Sequence, residues 1–282
     1  MTDEARTATS KADFSTIYAQ PDPRAYFRAL MPLEYQVPQR ALPVVEALVA
    51  ASGSRTVLDV CCSYGINAAL LRHDLDLAAI GARATDPARA ALPPGELIRD
   101  DAVFYAGHLR RPDLAVLGLD ASAPAIDYGL RTGLLTNGWA EDLEDAGPSP
   151  ALAAGLREVD LVVCTGGVGY IGERTFDRIL GAVGDPSRLW LATFVLRVFD
   201  YAPIAKTLAG YGLVTERVPG MTFPQRRFAD SDESDAAQAD VAARGLDPAG
   251  KEGSGWFHAD CYVTRPEATP PLAELLAGVV PG

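Results

Sequence analysis

Four apolar, β-branched runs, each of strand length and each followed by a helical segment, set the limits on how this chain can fold. TVLDV precedes CCSYG and INAALLRHDL, and AVLGLD precedes ASAPAIDYGLRTGLL. DLVVCTGG precedes GERTFDRILGAV, and RLWLATFVLRVF precedes YAPIAKTLAGYGL. Runs that are apolar throughout, alternating with helices, imply a mainly parallel sheet covered on both faces. Two closing runs, VTERVPGMTF and WFHADCYVTRP, break that rhythm and predict an antiparallel edge.

The 282 residues suit one large α/β domain or two small ones. The expected division is a tail and helical cap over 1–54, then a domain over 55–282 with insertions at about 81–112 and 229–255. In the cap, Pro21 and Pro23 act as helix starters before Tyr26, Phe27 and Leu30. Pro38 and Pro43 are expected to break the stretch before the short helix VVEALVAAS. The rings of Tyr18, Tyr26, Phe27 and Tyr35 form a stripe that either packs on the main domain or closes over a ligand. Proline and aspartate starters predict two short helices in the first insertion, and AAQADVAARG in the second reads as a helix ended by Gly245.

Charge narrows the partners. The formal net charge is −12, and bases never cluster beyond pairs such as Arg110-Arg111 and Arg226-Arg227. Nucleic acid and anionic membranes are therefore not expected as partners. The four cysteines form no CxxC motif or Cys/His cluster, so no metal site is expected. Met1 to Lys11 lacks an apolar targeting core, and no run approaches the length of a membrane span. A cytoplasmic location is the expectation.

In an open parallel sheet, ligands bind beyond the carboxyl ends of the strands, where strand order reverses. The residues following each strand are thus the candidates. After the first come Asp59 and the small-residue turn Cys61-Cys62-Ser63-Tyr64-Gly65, whose helix start offers free N–H groups. After the second comes Asp120, placed to accept hydrogen bonds from both hydroxyls of a ribose. Beyond the next helix lie Trp139, Ala140, Glu141 and Asp142, and after DLVV come Cys164 and Thr165.

In this order, VLDVCCSYG, GLDAS, AEDLE and DLVVCTGG resemble successive motifs of the class I S-adenosylmethionine (SAM)-dependent methyltransferases, over roughly Arg55 to Pro266. The resemblance implies a Rossmann-like, seven-stranded sheet, SAM as cofactor and S-adenosylhomocysteine (SAH) as product. It implies that Asp59 and the backbone from Cys61 through Ser63 and Tyr64 to Gly65 face the methionine portion, with Asn67 among the cofactor contacts. Asp120 would hold the ribose, with Ala121 and Ser122 beside the adenine. Ala140, Glu141 or Asp142 would read the adenine edge, and Cys164 and Thr165 would flank the sulfonium. Two departures stand out: Cys61 and Ser63 occupy positions where the family usually has glycine, and Trp139 replaces an aspartate.

About 60 positions separate Asp59 from Asp120, against ~20 in a bare strand-helix-strand unit. Asp86 lies at the more usual distance, yet no good strand leads into it, so Asp120 is preferred. The intervening excursion is a lid, a dimer surface or decoration; a homodimer is possible. Of the three histidines, His73 falls in the first helix and His108 in the insertion, leaving His258, two residues before Asp260, as a candidate base. Tyr170 is a candidate for catalysis and substrate contact, with Tyr35 and Arg197 as further substrate contacts. The expected activity is methyl transfer to an oxygen or nitrogen of a small organic metabolite. The alternative is a SAM-binding partner or regulatory protein without catalysis. A nicotinamide oxidoreductase would want G-x-G-x-x-G, which CCSYGI does not supply.

Overall fold

TVLDV forms β1 (Thr56–Val60) and AVLGLD forms β2 (Ala115–Asp120), paired in parallel from Thr56↔Ala115 to Val60↔Leu119. These positions come from a computed structural model that describes residues 15–279. The polar tail from Met1 to Lys11 lies outside the described residues. The remaining strands are β3 (Asn137–Ala140), β4 (Leu161–Thr165), β5 (Trp190–Leu196), β6 (Leu213–Arg217), β7 (Phe223–Arg227) and β8 (Trp256–Pro266). Their order is β3-β2-β1-β4-β5-β8-β6, with β7 also paired to β8. The chain leaves β1 in one direction and returns to β4 on its other side, so strand order reverses between β1 and β4.

The sheet differs from the expectation at its far edge. It has an eighth strand, and the antiparallel strand lies one place in from the edge. The long β8 pairs with β5 on one side, while its other side is shared by β6 and β7. Both β6 and β7 are short, and neither alone covers the whole of β8.

Period-two alternation sorts the strand residues onto two faces. Val57, Leu161, Val163, Ala192 and Phe194 face one apolar core. It is covered by α2 (Arg24–Leu30), α3 (Val37–Ser52), α4 (Ile66–Arg72), α5 (Leu77–Thr85), α6 (Pro94–Gly107) and α7 (Ala123–Arg131), which follow the one-turn α1 (Ser15–Tyr18). Leu58, Val60, Val162 and Val195 face the other core, beneath α8 (Pro150–Leu156), α9 (Glu173–Leu180) and α10 (Ala202–Ala209). Burying each such side chain is worth about 1.5–3 kcal/mol. The last helices are α11 (Ser231–Ala243) and α12 (Leu272–Leu275).

Pro38 and Pro43 do not break the cap as expected. Pro38 stands in the first turn of α3, where an N–H has no intrahelical partner in any case, and Pro43 is carried inside the helix. Pro43 forfeits one backbone bond, but the stripe Val37, Ala41, Val44, Val45, Leu48 and Val49 is buried and holds the helix on the sheet. The first insertion, expected to hold two short helices, holds α6 and the second half of α5, which begins before it at Leu77. Asp86 caps a short turn between them by accepting the Ala88 N–H. Arg83 and Arg89 pair there with Asp100 and Asp101, and Asp101 also accepts the Tyr128 hydroxyl from α7 at 2.8 Å. In the second insertion, α11 begins earlier than expected because Asp230 accepts the Glu233 N–H at its start.

One side chain fits β3 to the sheet. Leu135 fills the space left by Gly118 on β2 and Gly129 on α7; a Cβ at either position would stand 2.6 Å from its Cδ1. At Gly118 the added carbon would also meet Cys62 Sγ at 2.9 Å. Gly118→Ala is therefore expected to destabilise the chain by about 1–3 kcal/mol, read as a lower urea midpoint. An unchanged midpoint would contradict this packing.

Candidate functional site

The turn after β1 keeps the backbone shape of a glycine-rich loop with a single glycine, Gly65. Cys61, Ser63 and Gly65 all lie in the left-handed region, with φ of 57°, 49° and 80°. For Cys61 and Ser63 this costs roughly 1–2 kcal/mol each. Hydrogen bonds hold the shape: the N–H groups of Cys61 and Cys62 both donate to the Leu119 carbonyl, at 2.8 and 3.3 Å. The N–H of Ser63 donates to Asp120 Oδ2 at 2.8 Å.

Asp120 ends β2 and joins two turns. Its Oδ1 accepts the Ser122 N–H at 2.8 Å, so each carboxylate oxygen takes one backbone bond and keeps a second lone pair. Burial raises its pKa, and the Ser122 and Ser63 N–H groups oppose that shift. Ser122 also donates its hydroxyl to the Tyr18 carbonyl, which brings α1 over this turn.

Asp59 lies deeper. It is fully buried, accepts Asn67 Nδ2 at 2.8 Å through Oδ1, and has no partner on Oδ2 among the described residues. Burial pushes its pKa up to about 7, against the lowering effect of the Asn67 bond. Asn67 Nδ2 also lies 3.0 Å from Thr165 Oγ1, so it couples α4 to the end of β4.

Above these turns is a cavity of about 570 Å³. Of the residues singled out in the sequence, it brings together Cys61, Ser63, Asn67, Asp120, Ala121, Ser122, Glu141, Asp142, Thr165, Tyr35 and Tyr170. No residue of 81–112 lines it. Tyr170 is 56% exposed and stands at the rim.

Other candidates sit behind the wall. Asp59, Gly65, Ala140 and Cys164 do not line the cavity. Cys164 is fully buried with its thiol against that of Cys61. Tyr64 is also buried, and its hydroxyl lies 2.9 Å from the carbonyls of Ile17 and Gln20, tying the turn to the cap. Glu141 reaches the cavity, but both carboxylate oxygens accept from Ser149, one from its N–H and one from its hydroxyl. Asp142 accepts the Glu144 N–H on Oδ1.

Two candidates are placed elsewhere. His258 is absent from the cavity lining; its Nδ1 lies 3.0 Å from Thr222 Oγ1, and burial lowers its pKa to about 4. The suggested partner Asp260 faces Arg217 instead. Arg197 is buried in an ion pair with Glu252 at 2.5 Å and also donates to the Asp247 carbonyl. Its strand end was legible, but its charge is turned into the second insertion, away from the cavity.

The structure adds residues that strand-end reasoning missed. Tyr18 and Tyr26 come from the cap and Gln225 and Arg226 from β7, while Gly166 and Gly167, at the end of the DLVVCTGG run, also line the cavity. The aromatic stripe signalled the first pair. The doubled arginine drew attention only as charge. Among the described residues, no group of three or more His, Cys, Asp or Glu side chains is arranged to hold a metal ion. No helix there is long and apolar enough to cross a membrane.

No protein-family model matches this chain, and no curated protein matches it. Among solved structures, it is similar to magnesium protoporphyrin IX methyltransferase from Synechocystis PCC 6803 with bound SAM, at 12% identity over 82% of this chain and 81% of that one, TM-score 0.40. It is similar to the plantazolicin methyltransferase BpumL in complex with SAH, at 10% identity over 89% and 93% of the two chains, TM-score 0.43. A SAM dependent methyltransferase from Aquifex aeolicus aligns at 13% identity over 90% and 100%, TM-score 0.40.

Two measurements check the turn. Ser63 Oγ is buried without a partner among the described residues, so Ser63→Gly removes both an orphan hydroxyl and a left-handed side chain. That variant is expected to gain about 1 kcal/mol; a loss of stability would contradict the turn geometry. For Asp59, the folded chain keeps a proton between pH 3.8 and about 7 that the unfolded chain releases. Stability therefore falls as pH rises through that window. Asp59→Asn should flatten the fall, measured by denaturation at stepped pH, whereas an unchanged slope would contradict it.

The strand order and the two covered faces give this chain a Rossmann-like α/β fold.

Proposed function

We propose that this chain is a SAM-dependent methyltransferase acting on an oxygen or nitrogen of a small organic molecule. The observation that carries the reading is Asp120: two backbone N–H groups fix its carboxylate at the cavity wall, and one lone pair on each oxygen is left for a vicinal diol. The resemblance stated above supplies the nucleoside that brings such a diol.

The remaining residues fit that cofactor. Asp120 would hold the ribose and Ala121 and Ser122 the adenine side, with Asp142 at its edge. Ser63 offers a buried hydroxyl without a partner among the described residues, and Asn67, Thr165 and Gly166 would stand toward the methionine end. When bound, SAM supplies a methyl group on a sulfonium, whose leaving group is neutral and needs no proton.

Alignment and exclusion of water are therefore what the protein has to provide. Tyr18, Tyr26 and Tyr35 wall the other side of the cavity, and burial keeps all three phenols protonated at neutral pH. None is a ready base, so this reading takes an acceptor that is nucleophilic on arrival. The cavity volume of about 570 Å³ lies in the range of a small-molecule site. Cofactor and acceptor share it, which is why the acceptor is small.

Asp120→Ala should weaken SAH binding by on the order of 10–100-fold, as expected for buried hydrogen bonds to a charged group. Undiminished affinity, measured by calorimetry on folded variant, would overturn the assignment of Asp120.

A further inference from the structure

Gln225 occupies an irregular place in the sheet. Pro224 pairs with His258 and Arg226 with Phe257, so Gln225 is the extra residue of a β-bulge in β7. In a regular strand neighbouring side chains point to opposite faces. Here Gln225 and Arg226 both line the cavity, and bulges re-aim side chains in this way beside functional sites. The bulge is anchored on the cap, where the Gln36 N–H donates to the Gln225 carbonyl at 2.8 Å.

The side chain is 4% exposed, and its Oε1 is buried with no hydrogen-bond partner among the described residues. Its amide nitrogen lies over Gly166, where a Cβ would stand only 2.6 Å from Nε2. An unpaired buried acceptor is costly to keep. Arg226 is committed to a two-pronged, buried ion pair with Glu233 at 2.6 and 2.8 Å, and the Tyr26 and Tyr35 hydroxyls bond to each other.

We propose that Gln225 is a specificity-determining residue that reads the acceptor, and that the acceptor is a neutral, planar aromatic compound carrying an amide-like N–H or O–H donor. The inference rests on the methyltransferase reading for its reaction, and on the bulge and the orphan amide for its chemistry. Ring faces and edges from Tyr18, Tyr26 and Tyr35 suit a flat apolar body. The Arg226–Glu233 pair cancels its own charge, so this wall favours a neutral guest over a carboxylate.

The test is calorimetric titration of benzamide and naphthamide against methyl benzoate and methyl naphthoate, with and without SAH. The wild type should bind the amides about tenfold more tightly than the matching esters. Gln225→Met, which keeps the length of the side chain, should abolish that preference and leave SAH affinity unchanged. Gln225→Glu, which keeps the acceptor oxygen, should retain the preference and serves if the methionine variant fails to fold. No amide preference in the wild type, or its persistence in the methionine variant, would overturn the proposal. A matching loss of SAH affinity would overturn it too, by moving Gln225 to the cofactor. Failure of the wild type to bind SAH would count against the cofactor reading instead, and the amide-to-ester ratio without SAH would still decide the role of Gln225.

Discussion

The carboxylate of Asp120 holds the site together. One oxygen takes the Ser63 N–H from the turn after β1, the other the Ser122 N–H from the turn after β2. Ser122 passes the connection to Tyr18 in the cap, and Tyr64 makes a second tie from the first turn to the carbonyls of Ile17 and Gln20. Charge-assisted bonds of this kind are roughly twice as strong as neutral ones. Turn, Asp120 and cap are thus one hydrogen-bonded assembly, and a change at any of the three is felt by the others.

That assembly explains how the turn tolerates its sequence. Cys61 and Ser63 hold conformations that glycine would adopt at little cost. Strain at functional turns persists only where the surroundings over-determine it. The Leu119 carbonyl fixes Cys61 and Cys62 from one side, Asp120 fixes Ser63, and Asn67 links Asp59 to Thr165 below. The cysteine adds packing, since its sulfur lies against Cys164 and would stand 2.8 Å from a Cβ at Gly167. Loss of the usual glycines therefore leaves the backbone path intact and changes what side chains project from it.

Much of the sheet was readable because buried parallel strands leave continuous apolar runs; β1, β2 and β8 coincide with TVLDV, AVLGLD and WFHADCYVTRP. The strand β3, NGWA, carries no such signal. It exists because β2 offers an open edge and Leu135 fills the glycine space beside it. Asp120 was legible because an acid at the end of a strand has a position fixed by topology. His258 and Arg197 failed the same logic: sequence places a residue on a strand or at its end, and register and neighbouring loops decide where it points. Gln225 was invisible because a bulge shifts the alternation by one, and only the pairing of β7 with β8 reveals it.

The chemistry expected of this cavity needs little from side chains beyond position. Phenols held protonated, an ion pair that neutralises itself and a wall of tyrosine rings line one cavity with the Asp120 carboxylate. The most direct test of the central claim, that the Asp120 assembly is a sulfonium-nucleoside site, is calorimetric titration of the purified protein with SAM, SAH and NAD. The account predicts saturable binding of SAM and SAH with no response to NAD. Silence toward both sulfur compounds, or binding of NAD in their place, would contradict it.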